Sequence, residues 1–343
     1  MIANWRSHLI SSGANVDAEQ VRDFGAPDEE LRACASGTIV CDLSHFGVMQ
    51  FSGDDAQSFL QGQLTNDVKR VSGSVGQYTA YCTPKGRMLA SMLLFMDDDG
   101  YQLQLPQALL PTVLKRLSMY ILRARVKASD ASEASVRLGV AGPDAAALVA
   151  EHGEVPAQTL QIEGSAALRV MRLGEQRFEL FVEPDRAVQV WESLRRKAVP
   201  VGAAGWQWLE IRAGVPIVLP ETQEAFVPQM VNLERIDGVS FKKGCYPGQE
   251  IVARTHYLGK LKRRMYLAHV AGDALPTPAT PIYSPDLEGQ ASGEIVVSAP
   301  APDGGFDVLA VMQISSQEQG EAHLAEPNGP RLEWLPLPYA LND

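Results

Sequence analysis

The sequence predicts an α+β protein: two ferredoxin-like units in tandem, followed by a small β-barrel. Three observations carry this. A strand, a glycine and an Asp-Ala at a helix start occur twice, in Phe51-Ser52-Gly53-Asp54-Asp55-Ala56 and in Val140-Ala141-Gly142-Pro143-Asp144-Ala145. Each copy leads a strand, helix, two strands, helix series, the order of a duplicated ferredoxin-like unit. From Lys262 onward no long helical period remains, and β-branched or alternating runs are broken by Pro- and Gly-rich turns.

Taken in order, residues 1–37 are polar and mixed, with a short helix expected within 21–34 and Gly37 as its stop. Strands are expected at 38–43 and 46–51, and Ser52-Gly53 closes the second. Asp54 or Asp55 caps a helix whose apolar face is Ala56, Phe59, Leu60 and Leu64. Strands 77–82 and 88–96 are joined by Thr83-Pro84-Lys85-Gly86, a hairpin signal, and a further strand follows at 101–105. Pro106 can open a helix carrying Leu110, Val113, Leu114, Leu117 and Ile121 at helical spacing. The second half predicts a helix at 145–151, strands at 168–173 and 177–182, and a helix at 184–197 with Val188, Trp191 and Leu194 on one face. The stretch 205–213 is helical. Trp206 and Trp208, two residues apart, cannot share a face there, so one is core and the other is free to line a cavity. Strands at 264–270, 293–298 and 306–315 make the barrel.

The chain has 343 residues, enough for two or three domains. Its net charge of -11 argues against a general nucleic-acid or membrane binder. The charge is uneven: Lys242, Lys243, Arg254, Lys260, Lys262, Arg263 and Arg264 face only Glu250 among acids between 242 and 264. That patch suits an anionic small ligand or one anionic patch on a partner. Cys34, Cys41, Cys82 and Cys245 form neither a Cys-x-x-Cys nor a Cys/His cluster at zinc spacing, so no metal site is expected. Residues 1–17 lack the apolar segment of a signal peptide, and no run approaches the roughly 20 apolar residues of a membrane span. The expectation is a cytoplasmic protein with free thiols.

The stretch most suggestive of chemistry is Phe241-Lys242-Lys243-Gly244-Cys245-Tyr246-Pro247-Gly248-Gln249-Glu250. Gly244, Pro247 and Gly248 make it a tight loop, which presents side chains that helices and strands hide. Lysines beside a thiol favour its thiolate, the form that attacks electrophiles or binds metals.

Three stretches resemble a known family. They are Asp42-Leu43-Ser44 through Phe59-Leu60-Gln61-Gly62-Gln63-Leu64-Thr65-Asn66-Asp67-Val68, then Tyr81-Cys82-Thr83-Pro84-Lys85-Gly86-Arg87, then Pro228-Gln229-Met230-Val231-Asn232-Leu233 with Lys242 to Arg254. Across 38–265 the chain resembles the YgfZ group of folate-binding proteins, which share the GcvT-like fold of the glycine-cleavage T-protein, an aminomethyltransferase. The resemblance implies three domains in a ring around a central cavity holding tetrahydrofolate or another folate. It implies a GcvT-like folate-binding region over 1–255, made of two interleaved α+β subdomains, and a C-terminal β-barrel over 256–343, with a boundary near Tyr257-Leu258-Gly259. It also implies a role in assembly or repair of iron–sulfur enzymes, and through one of these in tRNA modification, with iron–sulfur client or assembly proteins as partners. No direct contact with nucleic acid or membrane is implied.

Carried over by position, Cys245 and Lys243 fall on the functional signature and Trp206 on a folate-associated tryptophan. Phe46 stands where the family has a second folate-contacting tryptophan, and Tyr246 and Arg254 belong to the signature. A pterin wants an aromatic wall with a few polar groups, and an anionic glutamate tail wants Arg254, Lys260 or Arg264. The alternative reading is a folate-dependent aminomethyltransferase or demethylase of the T-protein type. Against it, the T-protein's acidic pair is replaced here by Ala90-Ser91, and Arg212 stands where T-proteins tend to carry a pterin-reading glutamate.

Overall fold

Local chemistry sets most element boundaries. A computed structural model describes residues 1–257, 259 and 261–341. The chain starts with α1 (Ala3–Ser11), β1 (Asn15–Asp17) and β2 (Gln20–Asp23). Pro27 starts α2 (Pro27–Ser36), and Asp28, Glu29 and Glu30 sit in its first turn, where the helix dipole favours negative charge. Next come β3 (Ile39–Asp42), β4 (Phe46–Ser52), α3 (Ala56–Gln61), β5 (Gln77–Cys82), β6 (Met88–Asp97), β7 (Gly100–Pro106), α4 (Leu110–Ser118) and β8 (Lys127–Asp130). The series repeats as β9 (Val136–Ala141), α5 (Ala145–Ala150), β10 (Ile162–Ser165), β11 (Leu168–Gly174), β12 (Arg177–Val182), α6 (Pro184–Leu194) and β13 (Val199–Val201). After α7 (Ala203–Arg212) and α8 (Gln249–Tyr257) the chain is mainly β: β14 (Arg263–Val270), β15 (Pro281–Tyr283), β16 (Ala291–Pro300), β17 (Phe306–Gln313), α9 (Ile314–Glu318), β18 (His323–Leu324) and β19 (Leu332–Leu335).

The chain forms two units. One comprises Met1–Gln57, Lys69–Gln77 and Leu93–Trp206, the other Ser58–Val68, Tyr78–Met92 and Gln207–Asp343. In the first unit, the later part of β6 continues in the order β6-β7-β4-β8, so β8 lies antiparallel beside β4. The second half forms a sheet of order β10-β11-β12-β9-β3-β13. There β3 separates β9 from β13, antiparallel to the former and parallel to the latter. A strand that precedes the first repeat is thus inserted into the sheet of the second, and this interleaves them.

The repeated glycines hold equivalent corners. Gly53 and Gly142 have φ of +106° and +117°, values that only glycine adopts freely. A Cβ would meet Arg125 O at 2.3 Å in the first case and Gly37 O at 2.1 Å in the second. In both corners the crowding carbonyl lies just before the strand that pairs next to β4 or β9.

On one face of the six-stranded sheet, Val136, Leu138, Val140, Val170, Phe178 and Leu180 pack with Trp5 and Leu9 of α1 and with Trp191 of α6. The sequence reading missed α1, and it placed Val188 on the inner face of α6. Val188 is 41% exposed, and the buried face is Ala187, Val190, Trp191 and Leu194. Other boundaries moved as well. The stretch expected to be helical within 21–34 starts as β2 and continues as α2 from Pro27 to Ser36, and the helix expected to run to 197 ends at Leu194. Pro106 closes β7 rather than opening a helix, which starts at Leu110 after a turn at Gln107–Leu109. The strand expected to run to 315 ends at Gln313, and α9 follows.

In the second unit, a six-stranded sheet of order β18-β15-β16-β17-β14-β19 buries Val270, Ile282, Ile295, Val308, Ala310 and Met312. Its two edge strands approach each other: His323 and Arg331 form an antiparallel bridge, and Leu324 N donates to Pro330 O at 2.8 Å. The sheet therefore curls back toward its own start. Trp208 of α7 donates Nε1–H to Asp307 Oδ2 at 2.9 Å, which ties the helix to β17. Of the two tryptophans, Trp208 has this polar role and Trp206 is the core residue.

Candidate functional site

Parts of three distant stretches converge in the second unit, each taken from one of the three that carry the sequence resemblance. The Gln61–Asn66 segment supports the loop that leads to Cys245. Thr65 Oγ1 donates to Gly238 O at 2.9 Å, and Asn66 Nδ2 donates to Tyr78 O at 2.8 Å and Asp237 O at 2.5 Å. Ser240 N donates to Thr65 O at 3.0 Å. The Thr83–Gly86 turn packs on the other end of the loop. Gly248 has φ +83°, and a Cβ there would lie 2.5 Å from both Thr83 O and Gly86 Cα. Only glycine allows this approach, and α8 begins immediately after it.

Lys243 locks the loop from within. It is 8% exposed, and its Nζ donates to Gln61 O and Leu64 O at 2.6 Å each. The same ammonium sits 5.0 Å from the centroid of the buried Tyr246 ring. Burial lowers the Lys243 amine to about 8, and Asp67 opposes the shift. Burial, with a smaller contribution from Cys82, pushes the Tyr246 phenol above its ordinary range. Sequence reasoning gave Lys243 an electrostatic role beside the thiol. The structure shows its ammonium bonded to the chain that carries α3, a role invisible without the fold.

The result is one cysteine held outward on a braced loop. Cys245 is exposed, whereas Cys34, Cys41 and Cys82 are buried. Burial pushes the Cys34 and Cys82 thiols up to about 12 and raises that of Cys41 as well. Gly244 is exposed too, and a Cβ there would meet nothing within 4 Å. Among the described residues, no group of three or more His, Cys, Asp or Glu side chains is placed to hold a metal ion.

The remaining predicted residues divide between the units. Phe46, in the first, is half-buried, with its ring 4.4 Å from that of His45 and its carbonyl accepting from Arg137 Nη2 at 2.6 Å. His45 was not foreseen. Burial, reinforced by Arg137, lowers its imidazole to about 3, so it is neutral. Its ring nitrogens are sealed from solvent without a hydrogen bond of normal geometry. Trp206 is 1% exposed, lying against Gly139, where a Cβ would come within 2.4 Å of the indole, and 5.8 Å from the Arg177 guanidinium.

In the second unit, Arg254 is exposed on α8. Arg264 is not available to an anionic tail: it is buried, and its Nη1 donates to Glu234 Oε1 at 2.6 Å and Asn232 Oδ1 at 3.1 Å. Lys260, with Leu258 of the expected boundary, lies outside the described residues. Arg212 pairs with Asp307 at 3.5 Å. Ala90 and Ser91 are buried in β6, and Ser91 Oγ accepts from Val218 N at 3.0 Å.

A family model described as the GCVT N-terminal domain matches residues 18–243. The tRNA-modifying protein YgfZ of Enterobacter sp. (strain 638) is 32% identical over 92% of this chain and 98% of its own. The protein of that name from Yersinia enterocolitica is 31% identical over 88% of this chain and 92% of its own. Among solved structures, the glycine cleavage system aminomethyltransferase T from Bartonella henselae superposes with a TM-score of 0.76 at 16% identity, covering 97% of this chain and 96% of that one. That likeness shows a shared fold. Among the described residues, no helix is long and apolar enough to cross a membrane.

Proposed function

Because the chain belongs to the YgfZ family and has the GcvT-like fold, we propose that it is a tetrahydrofolate-binding accessory protein for assembly or repair of iron–sulfur enzymes. Through one such enzyme it supports tRNA modification, in keeping with the name its relatives carry. Cys245 is the essential thiol. The observation that supports this most directly is that the one exposed cysteine sits on a loop braced by Thr65, Asn66, Lys243 and Gly248. A rigidly presented thiol can ligate or reduce an iron centre that a flexible one would meet only transiently.

Of the residues carried over, half-buried Phe46 offers an aromatic face for a pterin. Trp206, 1% exposed against Gly139, supports that region from within the core. When bound, the folate would supply one-carbon or reducing chemistry, and Phe46 would help to orient it. In the other unit, Arg254 is an exposed guanidinium of the family signature, and Tyr246 supports the cysteine loop. The aminomethyltransferase alternative finds no support in β6, where Ala90 and Ser91 bring no carboxylate.

The test is Cys245→Ser. Tetrahydrofolate titration of the variant should match the wild type, and the variant should fail to restore iron–sulfur enzyme activity in cells lacking this protein. Full rescue would remove the thiol from the mechanism. Absence of tetrahydrofolate binding to the wild-type protein would remove the folate. Methylene-tetrahydrofolate formed from an aminomethyl donor at well above background would establish the transferase instead.

A further inference from the structure

A cleft of about 190 Å³ opens in the first unit, and none of its lining residues has a place in the folate or cysteine readings. Residues of the two sheets face each other across it. Phe95 of β6 and Phe181 of β12, each 4% exposed, meet with ring centroids 4.6 Å apart. Beside them Asp97 of β6 pairs with Arg169 of β11 at 3.1 Å, and this uses the one cation that lines the cleft. Asp98 and Asp99 in the β6–β7 turn and Glu183 directly after β12 line it too. All three carboxylates are exposed and have no ion-pair partner among the described residues. Gln102 of β7, 4% exposed, borders the same space. Its Nε2 donates to Asp97 Oδ1 at 3.0 Å, and its Oε1 accepts no hydrogen bond among the described residues.

We infer that this cleft binds a small alkyl diamine, with its methylene spine against the Phe95–Phe181 pair, one ammonium at Asp98 and Asp99, and the other at Glu183 on the facing wall. Each alternative occupant meets an obstacle. An anion is repelled by the unpaired carboxylates, whose field a cleft concentrates. A metal ion needs ligands that converge, and among the described residues no three His, Cys, Asp or Glu side chains do so. The volume is below the roughly 300–1,000 Å³ of pockets for drug-sized ligands, which excludes a peptide segment. A lysine side chain brings one charge where both walls offer carboxylates. An aliphatic dication uses every feature: ring faces that attract cations, acids on both sides, and a buried amide oxygen that lacks a donor. The inference goes beyond the folate reading and uses neither Cys245 nor a cofactor.

The experiment is isothermal titration calorimetry of putrescine into the full chain at neutral pH and low salt, with butylamine as the probe that carries a single charge. Putrescine should bind one to one and about fivefold tighter than butylamine, the worth of one further exposed ion pair. Glu183→Gln should abolish that margin, and so should Asp98→Asn combined with Asp99→Asn, because each leaves carboxylates on one wall only. These side chains are exposed, and unaltered circular dichroism would show that the variants remain folded. Phe181→Leu should weaken both amines about threefold and leave the margin between them in place. The inference is overturned by absence of saturable putrescine binding, by equal affinity for the two amines, by a margin that survives both sets of carboxylate changes, or by displacement of putrescine with an equal concentration of calcium, which would mark a metal site.

Discussion

Replacing Gly248 with alanine tests the architecture of the cysteine loop at its narrowest point. Two costs add. The residue has φ +83°, a left-handed conformation that costs a side-chain-bearing residue about 1–2 kcal/mol. The new Cβ would also sit 2.5 Å from Thr83 O and from Gly86 Cα, both backbone atoms that cannot swing aside. Overpacking of this kind costs about 1–3 kcal/mol. The expected loss is about 3 kcal/mol, read as a lower urea midpoint at unchanged slope. Gly244→Ala is the internal control, since its Cβ would point into open space and its φ is not left-handed. It should be neutral or stabilise by about 0.5 kcal/mol through a less flexible unfolded chain. If Gly248→Ala falls within about 0.5 kcal/mol of wild type, the turn does not clamp the loop at this end, and Gly248 has no part in the rigid presentation of Cys245.

Two further outcomes follow from the same loop. In native protein a disulfide reagent should titrate Cys245 alone at first, with Cys34, Cys41 and Cys82 reacting only after denaturant is added; a second fast-reacting thiol would contradict their burial. Lys243→Met should cost about 2–4 kcal/mol near neutral pH, because two buried carbonyls lose a charged donor. The loss should also depend on pH. With the Lys243 amine lowered to about 8 from an ordinary 10.5, the unfolded chain binds more protons between those values. The contribution of this group to stability therefore rises with pH across that window, so the gap between wild type and variant should widen from about pH 8 to about 10.5. Parallel stability curves would show that the amine is not buried.

Much of this fold is written locally. Strands β5 and β6 and their Thr83–Gly86 turn are legible because alternation and turn residues act over a few positions. The corner glycines Gly53 and Gly142 announce the duplication for the same reason. Helix α1 escaped because its buried contribution is only Trp5 and Leu9, too few to set a period. Val188 was misassigned because positions three apart can fall on either side of a face boundary. At the site, the exposed Cys245 and the glycine turn could be read from the sequence. The acceptors of Lys243, Gln61 O and Leu64 O, lie about 180 residues earlier in the chain and carry no side-chain signal at all. His45 was equally hidden, since its sealed ring depends on what packs over it.

The insertion of β3 between β9 and β13 has a consequence for biosynthesis. Cys41 cannot meet its partner Val201 until the ribosome has added a further 160 residues. At roughly 5–20 residues per second, that wait lasts about 8–32 seconds. One edge closes sooner, once β9 has been made and Cys41 can pair with Gly139, but until β13 arrives Ile39, Val40 and Cys41 form an apolar strand with its other edge open, a form that invites mispairing. A substitution that weakens β13 should therefore reduce soluble yield during expression more than it lowers the melting temperature of the protein that survives.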